Sequence, residues 1–192
     1  MFVGIAVLLV GAYLLGSVNP ALVVARFRGV DIREVGSGNP GASNVLRALG
    51  KGPAATVYLL DLLKGFVPAL VGLLIWSSEA GAVAGLGAVI GHCYPIYHRF
   101  RGGKGVATAG GALLAVSPPV MLIMVLVYAI TLKLWKISAV GSLVAAVVSI
   151  PALWITGQEG ATVAWFTSMM LLIIYRHRSN LSRISSGTEN RF

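Results

Sequence analysis

The sequence predicts an all-α polytopic membrane protein. Seven transmembrane helices are expected, with the N-terminus outside, the C-terminus cytoplasmic and one short span after a Gly-Gly-Lys-Gly motif. Three observations lead there. Of 192 residues, 57% are hydrophobic and only 11% charged, whereas an average soluble domain has about 25% charged residues. The mean hydropathy is +0.85, and apolar segments recur as far as residue 175, so a cleavable signal peptide does not account for it. Basic residues gather in alternate connections, the pattern that orients a chain across a bilayer. Residues 1–192 are therefore expected to form a single integral membrane domain. The composition excludes a secreted disulfide scaffold, a disordered tail and ordinary cytosolic enzyme folds. Cys93 is the only cysteine, which excludes an intramolecular disulfide, a Cys-based zinc site and an iron–sulfur cluster.

The spans follow from charge-free runs, each needing about 20 apolar residues to cross the hydrocarbon. Residues 2–25 form the first. The second begins near Pro53 and runs to 78, and the third covers 80–98. The next run, 105–132, holds 28 uncharged residues and reads either as one long tilted helix or as two short ones broken at Ser117-Pro118-Pro119. Charge parity favours the break. Lys and Arg collect in 26–51, in 99–104, at Lys133 and Lys136, and in the tail, while the connections at Glu79 and Glu159 contain none. With a break at the prolines, every basic cluster lies inside. The fourth span, 105–116, is then only about 18 Å long, which draws Gly102 to Gly105 below the headgroup level. The sixth and seventh spans are 137–158 and 160–175. The net charge of +9 reads mostly as orientation.

Three inside-facing segments are too rich in glycine, hydroxyl and amide groups to be plain connections. In Val35-Gly36-Ser37-Gly38-Asn39-Pro40-Gly41-Ala42-Ser43-Asn44, the glycines Gly36, Gly38 and Gly41 let N–H groups turn toward one point, an anion-binding nest. Ser37, Asn39, Ser43 and Asn44 add neutral donors, and Arg47 adds a planar fork for phosphate or carboxylate. In the second segment, Gly91-His92 leads to Gly102-Gly103-Lys104-Gly105, where glycines before a helix expose its first N–H groups and Lys104 can reach a bound phosphate. It is not a Walker loop, which needs Gly at His98 and Ser or Thr at Gly105. In the tail, His177, Asn180 and Arg183 recur every three residues. If the last helix continues, His177 and Asn180 point into the bundle while Arg176 and Arg178 face lipid headgroups. Within the spans, Asp61 and Lys64 read as a buried ion pair, with an orienting role in an anion site as the alternative. Ser142 lies near the inside end of the sixth span, as a site residue or a packing residue.

The absences narrow the chemistry. Six scattered acids leave no carboxylate cluster for magnesium or calcium, and three histidines without an H-E-x-x-H pair argue against zinc hydrolysis. No G-x-S-x-G elbow is present. No His is followed five residues later by Asp: positions 97, 103 and 182 are Tyr, Gly and Ser. What remains is a cytoplasm-facing, phosphate-holding site without an obvious strong base or nucleophile. It suits an already activated, phosphorylated substrate, with positioning and electrostatics supplying most of the acceleration. A phosphate or organic-anion transporter is the alternative, since glycine-rich half-helix termini also build transport sites. Against it, both glycine motifs lie on one side and no inverted repeat is visible.

At these residues the chain resembles the bacterial acyl-phosphate-dependent glycerol-3-phosphate acyltransferases. The resemblance covers Gly16-Ser17 with Pro20, the 36–47 segment, Asp61-x-x-Lys64-Gly65, Gly91-His92 through Gly102-Gly103-Lys104-Gly105-Val106-Ala107-Thr108, Arg176-His177-Arg178-Ser179-Asn180, and Gly187-Thr188-Glu189. Pro40 and Ser43 depart from it, standing where an aliphatic residue and Thr are expected. It implies a bacterial inner-membrane enzyme that moves a fatty acyl group from acyl phosphate to the 1-hydroxyl of glycerol 3-phosphate, giving lysophosphatidic acid and phosphate. No acyl-enzyme, metal or cofactor is implied. On this reading Lys104, Ser37 and His177 are the catalytic candidates. Gly38, Asn39, Gly41, Ser43 and Asn44, with His92, Gly102, Gly103 and Ser142, hold the acyl phosphate, while Arg47 and Asn180 join Lys104 and His177 on glycerol 3-phosphate. The proton passes to a donor phosphate oxygen, with His177 as the alternative base. The expected partners are the two substrates, membrane lipid and the soluble enzyme that makes acyl phosphate; nucleic acid is not one.

Overall fold

The computed structural model describes residues 2–191. Every regular element among them is helical. In chain order these are α1 (Phe2–Ser17), α2 (Pro20–Phe27), α3 (Ala42–Leu49), α4 (Lys51–Ile75), α5 (Ser78–Cys93), α6 (Val106–Val116), α7 (Pro118–Trp135), α8 (Ser138–Ile155), α9 (Gly160–Arg176) and α10 (Arg178–Ser185). A 3₁₀ turn, Ile96–His98, follows α5. Five segments are long and apolar enough to cross a bilayer: Val3–Phe27, Lys51–Ile75, Ser78–His98, Pro118–Trp135 and Ser138–Ile155. The helices Val106–Val116 and Gly160–Arg176 are apolar but shorter.

Two breaks shape the bundle. The expected first span is not one straight helix: Asn19 caps α2 by accepting the Leu22 N–H at 3.1 Å, and Pro20 occupies the first helical turn. Proline there forfeits no helix bond. The Val18 carbonyl, near that break, accepts from Lys64 Nζ at 2.8 Å, and Asp61 Oδ1 lies 2.8 Å from the same ammonium. The pair expected within the span is thus buried at a junction of α1, α2 and α4. The second break stands where the two prolines suggested it. Ser117 leaves the helical conformation between α6 and α7, with φ −146° and ψ 79°, because a residue before proline is pushed out of the helical region.

The interior is built from small side chains. The helix α5 is central, packing on α1, α4, α6 and α9, and buries Ala82, Ala84, Ala88 and Val89 completely or nearly so. Membrane helices associate through such residues because lipid gives apolar side chains no reason to leave it. The closest approach is between α4 and α6, where a Cβ on Gly65 would meet the Thr108 carbonyl oxygen at 1.9 Å and one on Gly111 would meet the Leu62 oxygen at 2.0 Å. Larger residues, among them Leu113, Leu153, Phe166 and Met169, fill the space between α5, α6, α8 and α9. A smaller cluster of Ala21, Ala25, Ile32, Val45 and Val57 fastens α2, α3 and the intervening loop to α4.

Because Gly65 has no room for a methyl group, Gly65→Ala is expected to lower stability by about 1–3 kcal/mol. In detergent this reads as a lower thermal midpoint and less monodisperse protein. Gly11→Ala, which would add its Cβ where nothing lies within 4 Å, is the control and should leave the midpoint unchanged or raise it.

Candidate active site

A cavity of about 420 Å³ opens at the end of the bundle where the 28–41, 94–105 and 136–137 connections and the tail meet. The helices α3, α6 and α8 begin on its wall: Gly41, Ala42 and Ser43 from the first, Gly105, Val106 and Ala107 from the second, Ser138 and Ala139 from the third. None of the three has a side-chain cap. Each therefore turns first-turn N–H groups and the positive end of its dipole toward one volume, worth about 0.3–1 kcal/mol per terminus to an anion and up to about 2 when partly buried. Arg47 and Lys104 stand on the same wall. The opposite stretch is apolar, with Leu113, Met121, Met124, Phe166, Met169 and Ile173. The cavity thus has a cationic end and an oily end.

Eleven of the fourteen sequence candidates line this cavity: Ser37, Asn39 and Gly41; Ser43, Asn44 and Arg47; His92 and Lys104; Ser142, His177 and Asn180. Gly38, Gly102 and Gly103 do not. The N–H of Gly38 bonds to Val35 O, that of Gly102 to Cys93 O and that of Gly103 to His92 O. Those amides hold the backbone and are not available to an anion. Gly36 and Gly38 have φ of +58° and +67°, so their role is to let the loop reverse. Asn44 is likewise committed. Its Oδ1 accepts the Ser37 N–H at 2.9 Å, and its amide nitrogen donates to Ile32 O at 3.0 Å and Val35 O at 2.9 Å. Both amide hydrogens are spent, so Asn44 is the buckle of the glycine loop and donates nothing to a ligand.

Lys104 is placed by its flanks. Gly102 and Gly103 are tied to the end of α5, and Arg176 donates to their carbonyls at 2.9 and 3.1 Å while lying over the Tyr94 ring. Arg176 therefore does not face lipid headgroups as expected, because two free carbonyls of the strap attract it. His92 closes the strap from behind. A Cβ on Gly103 would meet His92 Nε2 at 2.1 Å, and His92 Nδ1 lies 3.2 Å from Asp61 Oδ1.

The tail also differs from expectation. The last helix ends at Arg176, and His177 sits at the junction with α10, so His177 and Asn180 reach the cavity from a turn and a second helix. His177 Nδ1 lies 2.8 Å from Ile173 O. A carbonyl only accepts, so Nδ1 carries the hydrogen and Nε2 is left as an acceptor in the neutral ring. Burial pushes His177 down to about 4, opposed by the Ile173 bond and reinforced by Lys104, and the ring is neutral at pH 7. Asn180 Oδ1 accepts from Lys104 Nζ, and its amide donates to Glu189 Oε1 at 3.0 Å. Glu189 Oε2 accepts from Arg183 Nε at 2.8 Å. Burial pushes Lys104 down to about 8, with Glu189 opposing and Arg183, Arg176 and Arg47 adding to the fall. Burial also lowers Arg47, against Glu189 and Tyr128, but a guanidinium stays charged at any working pH.

Polar lining residues not among the sequence candidates include Tyr128, Ser138 and Glu189. The first two look like ordinary span residues, and Glu189 was visible only as part of a tail motif. Among the described residues, no three His, Cys, Asp or Glu side chains gather to hold a metal. Chemically, the cavity can hold phosphate at one end and an alkyl chain at the other, with neutral hydroxyls on its wall.

The glycerol-3-phosphate acyltransferase family model matches residues 6–187. The glycerol-3-phosphate acyltransferase of Aquifex aeolicus is 44% identical over 188 residues, 96% of this chain and 97% of that protein. That of Sinorhizobium medicae is 44% identical over 184 residues, covering 95% and 90%. Two crystal structures of PlsY (YgiH), an integral membrane glycerol 3-phosphate acyltransferase, superpose closely. The glycerol 3-phosphate form has TM-score 0.96 and 42% identity, covering 98% of this chain and 96% of that one. The lysophosphatidic acid form has TM-score 0.94 and 41% identity, covering 98% and 95%.

The Lys104 ammonium, pushed down to about 8, gives the site a pH signature. A phosphate monoester such as methyl phosphate is a dianion above a second pKa of about 6, so as the ligand it does not change charge at pH 7–10 while the free lysine does. Methyl phosphate affinity should be flat from pH 7 to 8 and then fall, approaching tenfold per unit as one proton must be taken up on binding. Lys104→Arg should abolish the slope. Isothermal titration of the detergent-solubilised protein reads both.

Proposed function

The chain belongs to the glycerol-3-phosphate acyltransferase family and is an acyltransferase, and from that premise we propose that it transfers a fatty acyl group from acyl phosphate to the 1-hydroxyl of glycerol 3-phosphate. The products are lysophosphatidic acid and inorganic phosphate. The observation that carries the donor assignment is the two-ended cavity. Its cationic wall suits a phosphate, its apolar wall between α6, α7, α8 and α9 suits the alkyl tail, and acyl phosphate joins these two groups through one carbonyl.

Seven spans, with α6 as a short one and the N-terminus outside, put every loop-borne basic cluster on the cytoplasmic side. The single domain then sits in the bacterial inner membrane with its cavity open to cytosolic glycerol 3-phosphate, and a soluble enzyme that makes acyl phosphate supplies the donor. Ser37, Asn39 and the Ser43 N–H, with the α6 N-terminus and Lys104, hold the donor phosphate, while the Gly41 N–H is spent on Asn39 O and the Ser142 hydroxyl on Ser138 O, so these two shape the wall. Arg47, Lys104 and Asn180 hold the phosphate of glycerol 3-phosphate. The C1 oxygen attacks the acyl carbon, the bond from that carbon to the phosphate-bridging oxygen breaks, and the hydroxyl proton ends on the departing phosphate. Transfer is direct. The donor is already an anhydride, so the protein supplies proximity and electrostatic stabilisation.

His177 fits orientation better than general base catalysis. Held at about 4, its ring is a much weaker base than a phosphate dianion, whose conjugate acid has a pKa near 6. Its Nε2 can still accept the C1 hydroxyl hydrogen bond and aim the oxygen. The positive wall offers no reason for anion flux through the bundle, and the transporter alternative has no observation in its favour.

Purified protein in lipid, given palmitoyl phosphate and labelled glycerol 3-phosphate, should form lysophosphatidate; no product from folded protein contradicts the proposal. Lys104→Ala should abolish turnover. His177→Ala should raise the KM for glycerol 3-phosphate at least tenfold while kcat at saturation changes less than about threefold. A fall in kcat alone would instead assign His177 the proton.

A further inference from the structure

Along the cavity wall, from the start of α3 past the start of α8 to Tyr128 on α7, runs a chain of hydroxyls. Tyr128 Oη on α7 lies 2.9 Å from Ser138 Oγ, in the first turn of α8, and Ser138 Oγ lies 3.3 Å from Ser43 Oγ, in the first turn of α3. All three line the cavity, and Ser138 is buried. Ser142 Oγ donates to Ser138 O at 3.0 Å. A Cβ on Gly141 would meet the Tyr128 ring at 2.9 Å, so the phenol and the start of α8 pack without slack.

Three hydroxyls joined by two links carry three hydrogens, and the links consume only two. One O–H is left over, on Ser43, on Tyr128 or, where Ser138 accepts from both, on Ser138. A phenol O–H is a stronger donor than an aliphatic hydroxyl, and a hydroxyl that accepts is a better donor in turn, so the favoured polarity runs from Tyr128 to Ser138 to Ser43. The spare hydrogen then sits on Ser43, beside the glycine loop. Chains of this kind polarise their last donor by roughly 10–30% per link.

Resting on the acyl phosphate reading, we infer that this relay supplies the donor to the acyl carbonyl oxygen. The acyl carbon is bonded to the phosphate-bridging oxygen, so a donor phosphate held at the helix starts of α3 and α6 brings the carbonyl beside Ser43 in the first turn of α3. Ser43 is the residue that touches the substrate, and Tyr128 and Ser138 are positioning residues that act through it. The relay donates a hydrogen bond to the oxygen as it gains negative charge and hands over no proton, so it needs no co-reactant.

Steady-state kinetics on folded variants, at equal concentrations of protein that elutes and melts like the wild type, test the relay. Ser43→Ala should lower kcat about 100-fold, the usual scale for losing one oxyanion donor, and Ser43→Thr, which keeps the hydroxyl, should restore it to within about threefold. Tyr128→Phe and Ser138→Ala should each lower kcat about three- to tenfold with both KM values within twofold. Their double variant should be no slower than the slower single, because a chain broken once has no second link to lose. Multiplicative losses, unchanged kcat, or a change confined to the KM for acyl phosphate would each overturn the relay while leaving the acyltransfer reading intact. Absence of product from the wild type run alongside would overturn both.

Discussion

The constraint on which the rest depends is electrostatic: three helix N-termini and two basic side chains are aimed at one small volume. Like potentials crowded together would splay α3, α6 and α8 unless each were tied down elsewhere. The ties are visible. Asn44 buckles the loop before α3, the Gly102–Gly103 carbonyls are clasped by Arg176 before α6, and Ser138 at the start of α8 is gripped by Tyr128. Glu189, returned from the tail onto Asn180 and Arg183, supplies a carboxylate beside this positive field. A phosphate dianion bound there would complete the balance, as the proposed function requires.

A second layer of charge stiffens the bundle beneath the cavity. Lys64, Asp61 and His92 are each at most 5% exposed. Removing one member of such a group leaves a buried charge at a cost of about 3–5 kcal/mol. Their distances tie the Val18 carbonyl beside the α1–α2 break, the middle of α4 and the end of α5 into one unit. His92 in turn accepts the Gly103 N–H on its carbonyl, so the orientation of Lys104 is inherited from ions one layer down. The small residues of α4, α5 and α6 serve the same end, since only glycine at positions 65 and 111 lets those backbones approach closely enough.

Much of this was legible in the sequence where the signal is local. Hydropathy located the apolar segments, Pro118 and Pro119 marked the helix break, and the glycine-rich stretch before Arg47 and the Gly-Gly-Lys-Gly strap pointed to the two loops that line the cavity. What escaped depends on contacts distant in the chain. A hydroxyl such as Ser138 or Tyr128 in an apolar run has the same sequence signature whether it faces lipid, a neighbouring helix or a substrate. Asn44 looked like a donor because its type is right, and only its partners Ile32 and Val35 show that its hydrogens are spent. Arg176 was assigned to headgroups by position, but the strap carbonyls offered a better partner. The turn at His177 has no glycine or proline to announce it.

Crystals soaked in tungstate, a heavy dianion of phosphate shape, would locate the anion by anomalous scattering. A peak is expected inside the cavity against Arg47 and Lys104, within reach of the first-turn N–H groups of α3 and α6, and no such peak in crystals of Lys104→Met. A cavity that stays empty at saturating tungstate, or a peak unaffected by the loss of Lys104, would contradict an anion site built on these groups.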